Sequence, residues 1–150
     1  MIKIICVGKI KEDYYKDAIS EYIKRLSKYT KVEIIELNDY NYDKEKTIRE
    51  ETKSIIEKLN PSDYKILLDI KGNMLDSETL SKKINDVMIT NSNIAFIIGG
   101  SYGVSDELRN IVDYRLSFSI LTFPHQLFRV VLLEQIYRCF KIMNNEEYHK

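Results

Sequence analysis

The pattern of apolar and polar positions divides the chain into short apolar runs that are separated by longer periodic segments. Each run spans five to seven residues, and in the following segment apolar residues recur every three or four positions. A short apolar run predicts a buried strand, whereas the longer period predicts an amphipathic helix. The predicted strands are 2–7, 31–37, 64–70, 93–98 and 115–119. The predicted helices are 12–28, 44–59, 77–90, 105–112 and a long helix after Pro124.

The regular alternation of strands and helices predicts an α/β fold. We expect a mostly parallel sheet of five or six strands with helices on both faces. The run 93–98 is the most apolar and is therefore expected at the centre of the sheet. Lys71 to Asn73 is expected to turn the chain, and Ser77 and Ser105 are expected to cap the helices that follow them. No internal repeat or linker is visible, so residues 1–150 are expected to form a single domain.

The stretch from Leu116 to Phe140 has an unusual distribution of apolar residues. It predicts a strand, a tight loop and a helix that is apolar around most of its circumference, because Val130 to Leu133 are consecutive. A surface helix shows a single apolar stripe, so this helix is expected to be buried against its own sheet and against a partner. Thr122 is a candidate cap for it. The tail at 144–150 is polar and expected to be mobile when alone.

Composition and charge restrict the function classes. Formal net charge is zero, so no global field attracts the chain to nucleic acid or membrane, and any polyanion site must be a local patch. Cys6 and Cys139 lie in segments predicted to be buried, which favours reduced thiols and a cytosolic setting. The first residues do not resemble a secretory signal, and no apolar run reaches the ~20 residues of a membrane span. We therefore expect a soluble, cytoplasmic protein.

Candidate ligand-binding loops follow three of the predicted strands. Parallel sheets bind ligands beyond the carboxyl ends of their strands, where this chain has the loops at 68–72, 99–103 and 120–124. The loop GGSYG matches neither the dinucleotide-binding nor the Walker A pattern, and it is equally explained as a simple turn. TFPH is equally explained as an ordinary helix start. No Cys/His spacing suggests a metal. The residues alone predict a self-associating α/β domain with a small-molecule site.

Four motifs carry a resemblance to a known family. They are VGKIKEDYY, IGGSYG, LSFSILTFPHQLFRVVLLEQIYRCFKI and the terminal YHK. In order and spacing they resemble the RlmH family of ribosomal RNA methyltransferases, small members of the SPOUT (α/β-knot) superfamily. The resemblance covers the whole chain. It implies a C-terminal trefoil knot, a homodimer and S-adenosylmethionine as the cofactor, without a metal. The implied reaction is methylation of N3 of a pseudouridine in large-subunit (23S) ribosomal RNA, on the assembled ribosome.

The resemblance also implies roles for individual residues. The cofactor-binding residues would be Leu68, Gly99, Gly100, Gly103, Phe118, Ser119, Ile120, Leu121, Thr122 and Phe123. The family often has a polar residue at the position of Ile120, where backbone groups would carry the recognition. Candidate catalytic residues are Tyr148 and His149, and candidate RNA-binding residues are Arg129, Arg138 and Lys150. Each arginine is equally explained as a solvated or interface charge. Lys9, Lys11 and Lys141 could add to a basic surface built from two subunits.

Two other functions remain open on the sequence alone. A methyltransferase with the same cofactor could act on another RNA, such as transfer RNA. Alternatively, the same dimeric scaffold could be a non-catalytic, ribosome-associated module that binds a nucleotide. Binding of S-adenosylmethionine discriminates between an enzyme and such a module, and the position of the methyl group discriminates between the RNA targets.

Overall fold

The computed structural model describes residues 1–150 and contains five strands that alternate with five helices. The strands are β1 Ile2–Val7, β2 Val32–Leu37, β3 Tyr64–Met74, β4 Ile94–Ile98 and β5 Tyr114–Ser117. The helices are α1 Asp13–Leu26, α2 Lys44–Glu57, α3 Ser77–Thr90, α4 Asp106–Ile111 and α5 His125–Met143. Each element coincides with a predicted one; about half of the ends match, and the others are shifted by one to three residues except the end of β3, which lies four residues later.

The five strands form one sheet in the order β2-β1-β4-β3-β5, and all four neighbouring pairs are parallel. Strand β4 is third in this order and every one of its residues is buried. The prediction of a central position for the most apolar strand is therefore confirmed. Because all strands are parallel, their carboxyl ends lie along the same edge of the sheet.

Helices cover both faces of the sheet, as the alternation predicted. On one face, α1, α3 and α5 pack on strand residues such as Ile4 and Phe96. On the other face, α2 and α4 contribute Ile55 and Leu108 to a smaller core that includes Ile5. Neighbouring residues of a strand point to opposite faces, so a strand between two helical layers must be apolar at every position.

Strand β3 differs from its prediction. The expected turn at Lys71 to Asn73 was wrong, because β3 continues to Met74. Its pairing with β5 shifts register, so that both Leu68 and Asn73 oppose Leu116 and the residues between them bulge out. A Cβ atom on Gly72 would lie 2.8 Å from the carbonyl oxygen of Arg115. Glycine at this position therefore lets the two backbones approach each other beside the bulge.

The helix caps match the predictions only in part. Ser105 caps α4, with its side chain accepting a hydrogen bond from the N–H of Leu108 at 3.1 Å. Asp76, rather than Ser77, caps α3 through the N–H of Thr79 at 2.7 Å. Thr122 does not cap α5, because the N-cap position is occupied by Pro124 and no side chain bonds there. Ser77 lies within the first turn instead, where its hydroxyl donates to Gln135.

Helix α5 is buried on several sides within a single chain. It contacts α1 and α3, and Leu127 is its only exposed residue. The expected burial on more than one side is thus confirmed within the chain, and the expected burial against a partner stays a prediction. No helix of the structure combines the length and the apolar character that crossing a bilayer would require.

Candidate active site

A cavity of about 380 Å³ lies beyond the carboxyl ends of β3, β4 and β5. Pockets for small ligands commonly measure ~300–1,000 Å³ and combine apolar walls with a few polar groups. The walls come from the β3 bulge, the GGSYG loop and the loop that joins β5 to α5. Ligands of open parallel sheets commonly bind at this position.

The apolar part of the wall is rich in aromatic rings. Phe128 of α5 contacts Phe118 edge to face at 5.1 Å and stacks on Phe123 at 5.8 Å between ring centroids. Leu68 and Leu116 complete this surface from β3 and β5. Such a wall suits a flat, weakly polar ring, because aromatic pairs favour offset and edge-to-face contacts.

Glycines shape the opposite wall. Gly103 has a φ of 90°, a conformation that favours glycine, and its N–H donates to the carbonyl oxygen of Gly100 at 3.0 Å. A Cβ atom on Gly99 would lie 2.5 Å from Cγ1 of Val104. The GGSYG loop is therefore a tight turn that also lines a cavity, so the two explanations of this motif are compatible.

The loop after β5 is held by its own serines. The hydroxyl of Ser117 donates to the carbonyl oxygen of Ser119 at 3.1 Å, and the hydroxyl of Ser119 accepts from the N–H of Leu121 at 3.0 Å.

Nine of the ten residues predicted to bind a cofactor line the cavity. Ile120 is the exception, since it does not line the cavity and is 76% exposed.

A half-buried ion pair in the cavity wall was not predicted from the sequence. Asp69 in the β3 bulge accepts hydrogen bonds from the N–H of Lys71 at 3.0 Å and from Nε of Arg109 at 2.9 Å. Burial alone raises the pKa of Asp69, but these hydrogen bonds and the charge of Arg109 outweigh burial and hold the pKa below its usual value. Both residues line the cavity. Their separation of 40 positions left no local signal for the pairing.

His125, at the start of α5, also lines the cavity. Burial is the main cause that lowers the pKa of His125, and the positive charge of Arg129 lowers it further. The imidazole is therefore neutral at neutral pH, so one of its ring nitrogens is free to accept a proton.

The tail residues lie away from this cavity in the same chain. The hydroxyl of Tyr148 donates to Glu134 at 3.0 Å, and Nδ1 of His149 lies 3.1 Å from Nη1 of Arg138. None of these residues lines the cavity. Burial, followed by the hydrogen bond to Glu134, raises the pKa of Tyr148 to about 12, so its phenol is a hydrogen-bond donor at neutral pH. The tail expected to be mobile is thus packed on α5.

The predicted RNA-binding residues occupy three different environments. Arg129 is 1% exposed and is bonded to Glu36 at 2.8 Å and to the carbonyl oxygens of Val7 and Gly8. The guanidinium of Arg129 is thus held by groups of its own chain, and its contact with RNA stays a prediction. Arg138 is paired with Glu134. Lys150 is exposed.

Comparison with known proteins adds the family. The family model described as "Predicted SPOUT methyltransferase" matches residues 1–149. The chain belongs to the SPOUT methyltransferase family. This SPOUT protein is 51% identical over 157 aligned positions to the "Ribosomal RNA large subunit methyltransferase H" of Clostridium perfringens, with 99% of each chain covered. Its counterpart from Clostridioides difficile, which has the same name, is 50% identical with the same coverage.

A solved structure supports the fold of this SPOUT methyltransferase. The structure of "a probable methylase family protein" from Haemophilus influenzae superposes with a TM-score of 0.53 at 11% identity. The match covers 96% of this chain and 66% of that one. At this identity the likeness concerns the fold only, and it agrees with the parallel sheet described above.

Proposed function

We propose that this chain transfers the methyl group of S-adenosylmethionine to N3 of a pseudouridine in large-subunit ribosomal RNA. We place the reaction on the assembled ribosome in the cytoplasm. The observation that carries the proposal is the cavity beside β3, β4 and β5, which is lined by nine of the ten residues that the family resemblance assigns to the cofactor. The printed names of the 51% and 50% identical relatives support ribosomal RNA as the substrate.

The residues of the cavity fit such a cofactor. Leu68, Leu116 and the phenylalanines offer apolar surface for adenine, while the glycine loop brings backbone groups close to its polar edge. When bound, S-adenosylmethionine supplies an electrophilic methyl group on its sulfonium sulfur. The residues of the chain therefore have to orient the cofactor and exclude water, and they must place the target nitrogen in line with the methyl group.

The target nitrogen carries a weakly acidic proton, so a nearby proton acceptor would assist its attack. Tyr148 and His149 remain proposed contributors, with Tyr148 acting as a hydrogen-bond donor because of its raised pKa. Neutral His125 is a further acceptor beside the cavity. Arg138 and Lys150 remain proposed contacts for the RNA.

We further propose that the protein acts as a homodimer whose C-terminal part forms the trefoil knot of the family. The tail of each chain is held on α5 by Glu134 and Arg138, away from the cavity of the same chain. A tail that completes the cavity therefore comes from a second copy. Exposed apolar side chains beside the cavity, Ile120, Leu121 and Leu127, support a partner face there.

Mass spectrometry of ribosomal RNA tests the function. In a strain that lacks this protein, one pseudouridine of the large-subunit RNA is expected to have lost its methyl group, and the purified protein with S-adenosylmethionine should restore it on isolated ribosomes. Calorimetry should show binding of S-adenosylmethionine. A methyl group lost from transfer RNA instead would redirect the proposal to that substrate, and absence of cofactor binding would refute an enzymatic role.

A further inference from the structure

A second cavity lies beside the cofactor cavity and shares part of its wall. It measures about 430 Å³ and opens beyond the carboxyl ends of β1 and β2. Gly100, Ser101 and His125 line both cavities. A molecule held in the second cavity would therefore lie next to the occupant of the first.

Two residues that line this second cavity each have a buried polar atom without a hydrogen-bond partner, Oε1 of Glu51 and Nε of Arg129. The two residues are only 4% and 1% exposed. Proteins pair most of their buried polar groups, so an unpaired acceptor and an unpaired donor beside the same cavity require an explanation. A ligand that presents both a donor and an acceptor would satisfy them.

The Glu51 carboxylate occupies space that is left by the absence of a side chain on Gly100. A Cβ atom on Gly100 would lie 2.7 Å from Oε2 of Glu51, so only glycine at this position leaves the carboxylate in place. Burial is the main cause that raises the pKa of Glu51, and the negative charge of Asp39 raises it further. A hydrogen bond from the N–H of Tyr40 lowers the pKa but does not offset these two effects. A carboxylate removed from water in this way interacts strongly with any donor that enters the cavity.

The rim of the second cavity suits a nucleotide. Lys9 and Lys11 are exposed and line it, which provides positive charge for a phosphate. The N–H of Lys11 donates to Oε1 of Gln126 at 3.2 Å, which fixes this segment against α5. Tyr40 also lines the cavity, and an aromatic ring offers a surface on which a base can stack.

We propose that the second cavity is the subsite for the target nucleotide. Glu51 accepts a hydrogen bond from the ring N–H of the base, Arg129 donates to the neighbouring carbonyl oxygen, and Lys9 and Lys11 hold a phosphate. A uracil-type base fits this pair, because its N–H lies between two carbonyl groups. The inference rests on the proposed function, since it requires a methyl donor in the adjoining cavity.

Transfer of tritiated methyl groups from S-adenosylmethionine to ribosomes that lack the modification tests the subsite. Glu51→Gln keeps the shape of the side chain but removes the negative acceptor. It is expected to lower kcat/KM roughly 10- to 100-fold, the effect of losing a hydrogen bond to a charged group. The Kd for S-adenosylmethionine, measured by calorimetry, should stay within about twofold of the unmodified protein, since Glu51 does not line the first cavity.

The lysines provide an independent variant. Lys9→Ala combined with Lys11→Ala is expected to raise the KM for ribosomes several-fold, with a shallower dependence on salt and an unchanged kcat. Glu57→Gln and Lys53→Ala are matched controls, because both residues are exposed on α2 and line neither cavity. The controls should methylate ribosomes at the normal rate.

The outcomes separate the subsite from the proposed function. Normal kcat/KM in Glu51→Gln would overturn the subsite. So would a loss of S-adenosylmethionine binding in that variant, because the cavity would then belong to the cofactor. Should Glu51→Gln fail to fold, the double variant of Lys9 and Lys11 provides the test. An unchanged KM for ribosomes in that variant would refute the inference. Absence of methyl transfer by the unmodified protein would instead refute the proposed function.

Discussion

A single charge interrupts the apolar run of β1, and its partner explains why it is tolerated there. Nζ of Lys3 lies 3.0 Å from Oδ2 of Asp63, and both side chains are buried. Asp63 also accepts a hydrogen bond from the N–H of Asn60 at 2.9 Å. The pair therefore connects the first strand to the turn before β3, 60 positions away along the chain.

Asp63→Ala is expected to destabilise the protein by about 3–5 kcal/mol, because it leaves the Lys3 ammonium buried without a counter-charge. The free energy of unfolding from urea titrations measures the loss. Glu21→Ala is the matched control, since it removes one partner of the exposed pair with Arg25 and should change stability little. Equal losses in the two variants would contradict this account of the buried pair.

Among individual residues, the glycines indicated the position of the cavity correctly. Gly99, Gly100 and Gly103 were singled out because glycines after a strand allow close backbone approach, and all three line the cavity. Asp69, Arg109 and Glu51 gave no such signal. From the sequence alone an acidic or basic residue is interpreted as a solvated charge, and the residues that surround these three in the fold are distant in sequence.

Among the elements, α5 and the tail behave as one unit. Tyr148 packs edge to face on Tyr137 at 5.0 Å and bonds to Glu134, one turn before Arg138. Glu146 accepts from Lys141 at 2.8 Å and from the hydroxyl of Tyr29 at 2.7 Å. The tail therefore has a defined position along the C-terminal half of the helix, as a group that contributes to another site should have.

Deletion of Tyr148 to Lys150 is expected to reduce methylation of ribosomes on the order of 100-fold or more, because the groups that position the RNA are lost. Binding of S-adenosylmethionine and dimerisation should persist, since each chain lines its cavity without its own tail and the proposed partner face consists of Ile120, Leu121 and Leu127. Glu147→Gln, an exposed tail residue, is the control and should be fully active. A truncated protein that methylates at the normal rate would refute the role of the tail.

For the whole molecule, the surface beside the cavity is the most informative region. Ile120 is 76% exposed although the loop that contains it is otherwise part of the cavity wall. Leu127, one turn into α5, is exposed as well. The proposed dimer would bury both and would bring the tail of one chain to the cavity of the other.

The double variant Ile120→Asp/Leu127→Asp is expected to be monomeric at micromolar concentration, because it places two charges in an apolar interface. Analytical ultracentrifugation measures the molecular mass, and methyl transfer should be lost together with the dimer. Ile89→Asp is the control, as Ile89 is equally exposed on α3 but lies at the opposite edge of the sheet. A double variant that remains dimeric would refute the proposed interface.

The sequence by itself determined the elements, the α/β class, the central strand and the edge of the sheet that holds the cavity. It could do so because strand and helix periods are local properties, and because parallel strands end on one edge. The family motifs added ten residues that are proposed to bind the cofactor, and nine of them line one cavity.

Tertiary structure alone decided the β3 bulge, the interior position of Arg129 and the position of the tail on α5. It also decided the pairing of Asp69 with Arg109 and the meeting of Glu51 with Gly100. Each of these depends on contacts between residues that are far apart in the chain. The local pattern of apolar and polar positions does not predict such contacts. The packing of the helices on the sheet thus brings these charged residues together around two adjoining cavities.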